Sequence, residues 1–184
     1  VLGIGIDYDK ESGNFDVSAQ SVLVGIAGGQ DAQATYAMYN AQGKTIADAL
    51  DNISRKMGLI VSLAHCNVLF VSPAVLKLDH LQLIYPLTGM YALPEQAILV
   101  SGKHAPKEIM ALRLGTTLSS PFFLQQALTN EEGSDGMIRT TVKDFAARSL
   151  SRSESNAIPY IIATKMENPP MTEQGEGGDT YEMD

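Results

Sequence analysis

The sequence predicts an α/β (α+β) domain, with a mixed β-sheet of about four to six strands, helices packed on the sheet and a β-hairpin at the start. Three stretches carry this. Phe15, Val17 and Ala19 alternate with Asp16, Ser18 and Gln20, the period-two pattern of a strand with one wet face. Ile46, Leu50, Ile53 and Met57 recur at helical spacing, behind a Thr45 that can cap the helix together with Asp48. The run Asn67-Val68-Leu69-Phe70-Val71 is short, apolar and closed by Ser72-Pro73, as expected of a strand covered on both faces.

In chain order, residues 1–7 read as an apolar strand in which Gly3 and Gly5 keep the surface low, a mark of close approach by a helix or neighbouring backbone. Asp9 to Asn14 is turn chemistry, so residues 1–24 are expected to form the hairpin. A loop over 28–33 leads to a third strand over 35–40, and Gly43 ends the extended segment that feeds the helix. Gly58 is the expected C-cap of that helix. Residues 74–87 are expected to form one helix or two short ones, ending near Pro86, and 96–101 a strand. Pro106 opens another helix, and two more are expected over 121–128 and 142–150, separated by a polar loop over 130–136. A last strand is expected over 160–163. From Glu167 the chain is acidic and rich in Pro and Gly, so residues 1–166 are expected to be the domain and 167–184 a linker or tail.

The chain has 184 residues, 45% of them hydrophobic, enough for one domain with a sizeable core. Its net charge of −8, with no cluster of Lys and Arg, argues against nucleic acid and against anionic lipid headgroups. The single cysteine, Cys66, cannot make an internal disulfide and is expected to be a small buried hydrophobe. Val1 falls inside an expected strand, so a further segment is expected upstream. No apolar run is long enough to span a bilayer.

Each near-motif fails for a physical reason. Gly43-Lys44-Thr45 resembles the end of a phosphate-cradling loop, but Met38 stands where its first glycine is required. Gly3-x-Gly5 lacks the third glycine of a dinucleotide site, since Tyr8 is there. Asp7-x-Asp9-x-Glu11 lacks the glycine and the closing glutamate of a calcium loop, having Ser12 and Ser18 in those places. His65, His80 and His104 are too scattered to bind a metal, and Cys66 beside His65 cannot be a nucleophile and base, because adjacent strand residues point to opposite faces. No catalytic residue, cofactor or metal ligand is therefore expected, and the chain reads as a non-enzyme. A hydrolase or transferase would need two carboxylates converging in a cleft, and a small-molecule binding module of the cell envelope would need a preformed pocket.

The segment Gly43-Lys44-Thr45-Ile46, the helix after it and Leu63-Ala64-His65 leading into Val68-Leu69-Phe70-Val71-Ser72 resemble the N-terminal domain of the Ger(x)C family. These proteins are the C subunits of spore nutrient-germinant receptors. The opening Val1-Leu2-Gly3-Ile4-Gly5-Ile6-Asp7 is similar to that family's first hairpin, and the likeness covers roughly residues 1–165. It implies structural roles for Gly3, Gly5, Asp7, Gly43, Thr45 and His65, with His65 hydrogen-bonding backbone at the entrance of a strand. It implies a lipoprotein anchored, through an upstream lipid-bearing cysteine, at the outer face of the spore inner membrane beside the integral-membrane A and B subunits. The family's two later domains are absent from this sequence.

Overall fold

The computed structural model describes residues 1–23, 35–114, 118–129, 138–151, 157–165 and 181–183. Its strands are β1 (Gly3–Asp9), β2 (Asn14–Leu23), β3 (Thr35–Gly43), β4 (Val68–Val71), β5 (Ile98–Gly102), β6 (Arg113–Leu114), β7 (Leu118–Ser119), β8 (Tyr160–Ile161), β9 (Ala163–Lys165) and β10 (Tyr181–Met183). A six-stranded mixed sheet has the order β3-β2-β1-β4-β5-β8, in which β1, β2 and β3 are antiparallel and β4, β5 and β8 continue from β1 in parallel. A second sheet has the order β7-β6-β10-β9.

The expected hairpin is β1 with β2, paired from Gly3 against Gln20 to Asp9 against Asn14. Asp9 closes it: the carbonyl accepts from Gly13 N at 2.9 Å, and the carboxylate accepts from Ser12 Oγ at 2.7 Å and Glu11 N at 2.9 Å. These bonds, the one from Ser12 foremost, hold the Asp9 carboxyl below its ordinary range.

Helix α1 (Ile46–Met57) starts on a capping box. Thr45 Oγ1 accepts from Asp48 N, and the Asp48 carboxylate accepts from Thr45 N, both at 3.0 Å. Gly58 ends the helix in the left-handed region at φ 68°. Four of its apolar residues, Ile46, Ala49, Leu50 and Ile53, are buried against one face of the large sheet.

That sheet separates two cores. On the α1 face lie Ile4, Ile6, Val17, Ala19, Leu69, Val71 and Leu99, packed with helix α2 (His80–Tyr85) through Leu83 and Ile84 and with helix α5 (Val142–Leu150) through Phe145. On the opposite face Val68, Phe70, Ile98 and Val100 meet Ile109 and Met110 of helix α3 (Pro106–Ala111) and Leu124 and Leu128 of helix α4 (Ser120–Thr129). All four residues of β4 are buried, as its unbroken apolar run demands.

Local expectations are in part met and in part corrected. Over 74–87 the expected helical segment is met as two short pieces, a 3₁₀ turn over 75–77 and α2, which ends at Tyr85 just before Pro86; what was not expected is that Pro86 opens a π-helical turn, Pro86–Met90. A proline is tolerated in a first turn because no N–H is required there. The last strand divides at Ile162, β8 joining the large sheet beside β5 and β9 the small one beside β10. The small sheet was not foreseen, since its strands of two or three residues are too short to carry a period. The expected loops over 28–33 and 130–136 lie outside the described residues, as does most of the segment from Glu167; Tyr181–Met183 within that segment is β10.

Candidate functional site

Gly3 and Gly5 project toward the face covered by α3 and α4, while Ile4 and Ile6 point into the opposite core. A Cβ at Gly3 would fall 2.5 Å from Pro121 Cγ, and one at Gly5 would fall 2.8 Å from Met110 Sδ and 2.9 Å from Pro106 Cβ. The two glycines thus let the helices that carry Pro106, Met110 and Pro121 lie directly on β1. This close approach also overturns the expected wet face of β2. Ser18 and Gln20 pair with Gly5 and Gly3 across the sheet and are 2% and 5% exposed. Gln20 Nε2 donates to Met110 O at 3.2 Å, satisfying a carbonyl at the end of α3, and Asn40 Nδ2 donates to Ser18 Oγ at 3.2 Å.

Asp7 accepts from its neighbour Tyr8 N at 2.8 Å and stands opposite Asp16. Asp16 accepts from Asn40 Nδ2 and lies 3.7 Å from Lys107 Nζ of α3, so its charge is already paired. Gly43 and Thr45 lie where β3 passes into α1. A Cβ at Gly43 would press on Ala49 N and come within 2.8 Å of Asp48 Cβ, so the helix begins directly against the strand it leaves. Thr45 spends its hydroxyl on the cap, and Lys44 Nζ donates to Ser12 O at 3.0 Å, fastening the helix entrance to the hairpin turn. The phosphate-loop arrangement is not formed.

His65 corrects an expectation: it is exposed in the turn before β4, and its side chain makes no hydrogen bond to another described residue. Its neighbour Cys66 takes the inward position. That thiol is 1% exposed, donates to Val68 O at 3.4 Å, and is pushed by burial up to about 12. A depression of ≈ 170 Å³ lies beside it, lined by Asn67, Gln96, Gln125, Thr129 and Arg139 among others. Pockets for small ligands usually measure about 300–1,000 Å³ and open at the carboxyl ends of parallel strands; this one is smaller and lies at the amino ends of β4 and β5. Among the described residues no group of three or more His, Cys, Asp or Glu could hold a metal ion.

The six residues singled out by resemblance do not converge. Asp7, Gly43 and Thr45 lie toward the end of the sheet where β1 leaves it and β2 enters; His65 lies at the opposite end, beside the start of β4. Of the six, Gly3, Gly5 and Gly43 sit at close packing contacts and Thr45 at a helix cap. Comparison with known families gives the context: the sequence pattern described as the spore germination protein N-terminal domain matches residues 1–163. The chain belongs to this family. No curated protein and no solved structure matches it.

The Ger(x)C match spans every element of the large sheet, from β1 to β8. Two features of this Ger(x)C domain escaped the sequence. Thr141 and Asp144 form a second capping box at the start of α5, signalled by the same Thr-x-x-Asp spacing as at Thr45. Leu59 and Ile60, 68% and 91% exposed, follow α1 as an outward apolar pair, which pattern alone could not separate from core.

Proposed function

We propose that this chain is the first domain of a germinant-receptor C subunit and contributes assembly and signalling rather than chemistry, with residues 1–166 as the domain and 167–184 as its acidic linker. The subunit is held by a lipid on a cysteine upstream of this segment, at the outer face of the spore inner membrane, beside the A and B membrane subunits. The observation that carries the reading is the family match over residues 1–163. It is supported by the site geometry, in which Gly3, Gly5, Gly43 and Thr45 serve packing and capping, and the Asp16 carboxylate is engaged by Lys107 and Asn40. No helix of the described residues is long and apolar enough to cross a membrane, so attachment falls to the anchor and the partners.

The test uses spores lacking the gene. Dipicolinic acid release is followed after a panel of nutrients and, separately, after a trigger that bypasses nutrient receptors. Loss of the response to one nutrient set with the bypass response intact is expected. Equal loss of both responses, or an unchanged response in a strain with no second receptor, refutes the reading.

A further inference from the structure

The large sheet ends on one side in β8, only two residues long, and on the other in β3, nine residues long. Edge strands of soluble proteins are usually blunted by charge, proline or shortness. β3, Thr-Tyr-Ala-Met-Tyr-Asn-Ala-Gln-Gly, has no charged residue and no proline.

Which of its backbone groups face outward follows from the ladder. Leu2 O and Ile6 O accept from Asn67 N and Ser72 N, so the even residues of β1 face β4 and the odd ones face β2. Gly3 and Gly5 pair with Gln20 and Ser18, which turns the even residues of β2 toward β1 and the odd ones toward β3. Ala19 and Ser21 pair with Tyr39 and Ala37, so Tyr36, Met38, Asn40 and Gln42 present their N–H and C=O groups to the outside. Two side chains of α1 agree with this assignment: Asn52 Nδ2 donates to Gln42 O at 2.8 Å, and Lys56 Nζ donates to Asn40 O. They block the second half of the edge. Among the described residues nothing pairs with the outer groups of Tyr36 and Met38.

We propose that β3 pairs with β3 of a second copy of this chain, antiparallel, about a two-fold axis through Ala37. Tyr36 then stands opposite Met38 of the other copy, and the reverse. This is the register that uses both open residues and avoids the carbonyls taken by Lys56 and Asn52. Each Tyr36–Met38 pair exchanges two N–H···O=C bonds, and the symmetry repeats them. The same pairing sets each Tyr36 ring beside a Met38 thioether, a favourable contact for soft sulfur. The small Ala37 occupies the axis. Charge does not oppose the seam: the two Lys56 groups reach it at Asn40, six residues along from their symmetry mates, or about 20 Å at strand rise, beyond the screening length of about 8–10 Å.

The experiment uses the whole chain with Ala37→Cys and, as a control on the same face, Tyr39→Cys, each exposed to a mild oxidant and read on a non-reducing gel. Residues at the axis of a non-hydrogen-bonded pair lie within disulfide reach, whereas Tyr39 is opposite position 35, so Ala37→Cys is expected to cross-link roughly ten-fold faster or more. Buried Cys66 supplies little background. In sedimentation equilibrium the mass is expected to rise with concentration from 19.8 kDa toward twice that value. Met38→Pro removes an outward N–H and leaves the β2 ladder intact, and is expected to abolish the rise with an unchanged circular dichroism spectrum; Met38→Lys replaces it if the proline perturbs the fold. Equal cross-linking of the two cysteine variants overturns the proposal. So does a mass that stays monomeric to about 0.5 mM, a concentration at which even weak strand pairing populates a dimer, or a dimer that survives a folded Met38 variant.

Discussion

Replacing Gly43 by alanine tests whether the strand-to-helix junction is as tight as it looks. The added Cβ meets Ala49 N, Asp48 Cβ at 2.8 Å and Asp48 C at 2.9 Å, none of which is the free end of a side chain. Reaching ordinary contact distances requires the first turn of α1 to move by about 0.6 Å or more. Overpacking of this kind costs about 1–3 kcal/mol. The displaced turn also loses the Thr45–Asp48 capping box, about 1 kcal/mol. Alanine restricts the unfolded chain, which offsets about 0.4–1 kcal/mol. The net expectation is about 2–3 kcal/mol, or a fall in Tm of about 4–12 °C for a domain of this size. Urea unfolding of Gly43→Ala, Thr45→Ala and the double variant measures it. Thr45→Ala is expected to cost about 1 kcal/mol alone and under about 0.3 in the Gly43→Ala background, because the cap is already lost. A Gly43→Ala cost below about 0.5 kcal/mol, or strict additivity, refutes the reasoning.

Three further outcomes are expected. Cys66, raised from 9.0 to about 12, has about a thousandfold less thiolate than an exposed cysteine, so thiol reagents should label the native chain only as fast as it opens; rapid labelling without denaturant contradicts the burial. Ser101 Oγ donates to Val71 O at 2.8 Å inside the sheet, and Ser101→Ala should cost about 1 kcal/mol in urea unfolding, an unchanged midpoint counting against that bond. The Asp9 and Asp144 carboxyls are both held below 3.8, by hydrogen bonds led by Ser12 and by Thr141. The folded state therefore binds fewer protons at these groups than the unfolded state, and their stabilisation is present above pH 3.8 and lost as pH falls through the folded values. The urea midpoint should drop in that acid range, and Asp9→Asn with Asp144→Asn should flatten the drop; an identical profile in the double variant contradicts it.

Much of the fold was legible because short-range chemistry fixes it. The Thr45–Asp48 box, the Gly58 cap and the apolar stripe of Ile46, Leu50 and Ile53 specify α1 from one stretch of chain, and the unbroken run of β4 specifies burial on both faces. The sequence also showed that Gly3 and Gly5 make room for something. It could not show that Pro106, Met110 and Pro121 fill the space, because those residues lie about a hundred positions away and only the sheet brings them together. The consequence was hidden for the same reason: Ser18 and Gln20 alternate like solvent-facing residues, yet α3 covers them; Ser18 Oγ accepts from Asn40 and Gln20 Nε2 donates to Met110 O, while Gln20 Oε1 is buried with no partner among the described residues. His65 failed in the other direction, since a turn that sends Cys66 inward leaves its neighbour outside. What the sequence determined by itself was therefore element type, capping and the family, all carried by neighbours in the chain. Which face of β2 is dry, where β3 stands in the strand order, and hence that its Tyr36 and Met38 edge is unpaired among the described residues were decided only by tertiary structure, because strand pairing and helix docking join residues whose separation in sequence carries no local signal.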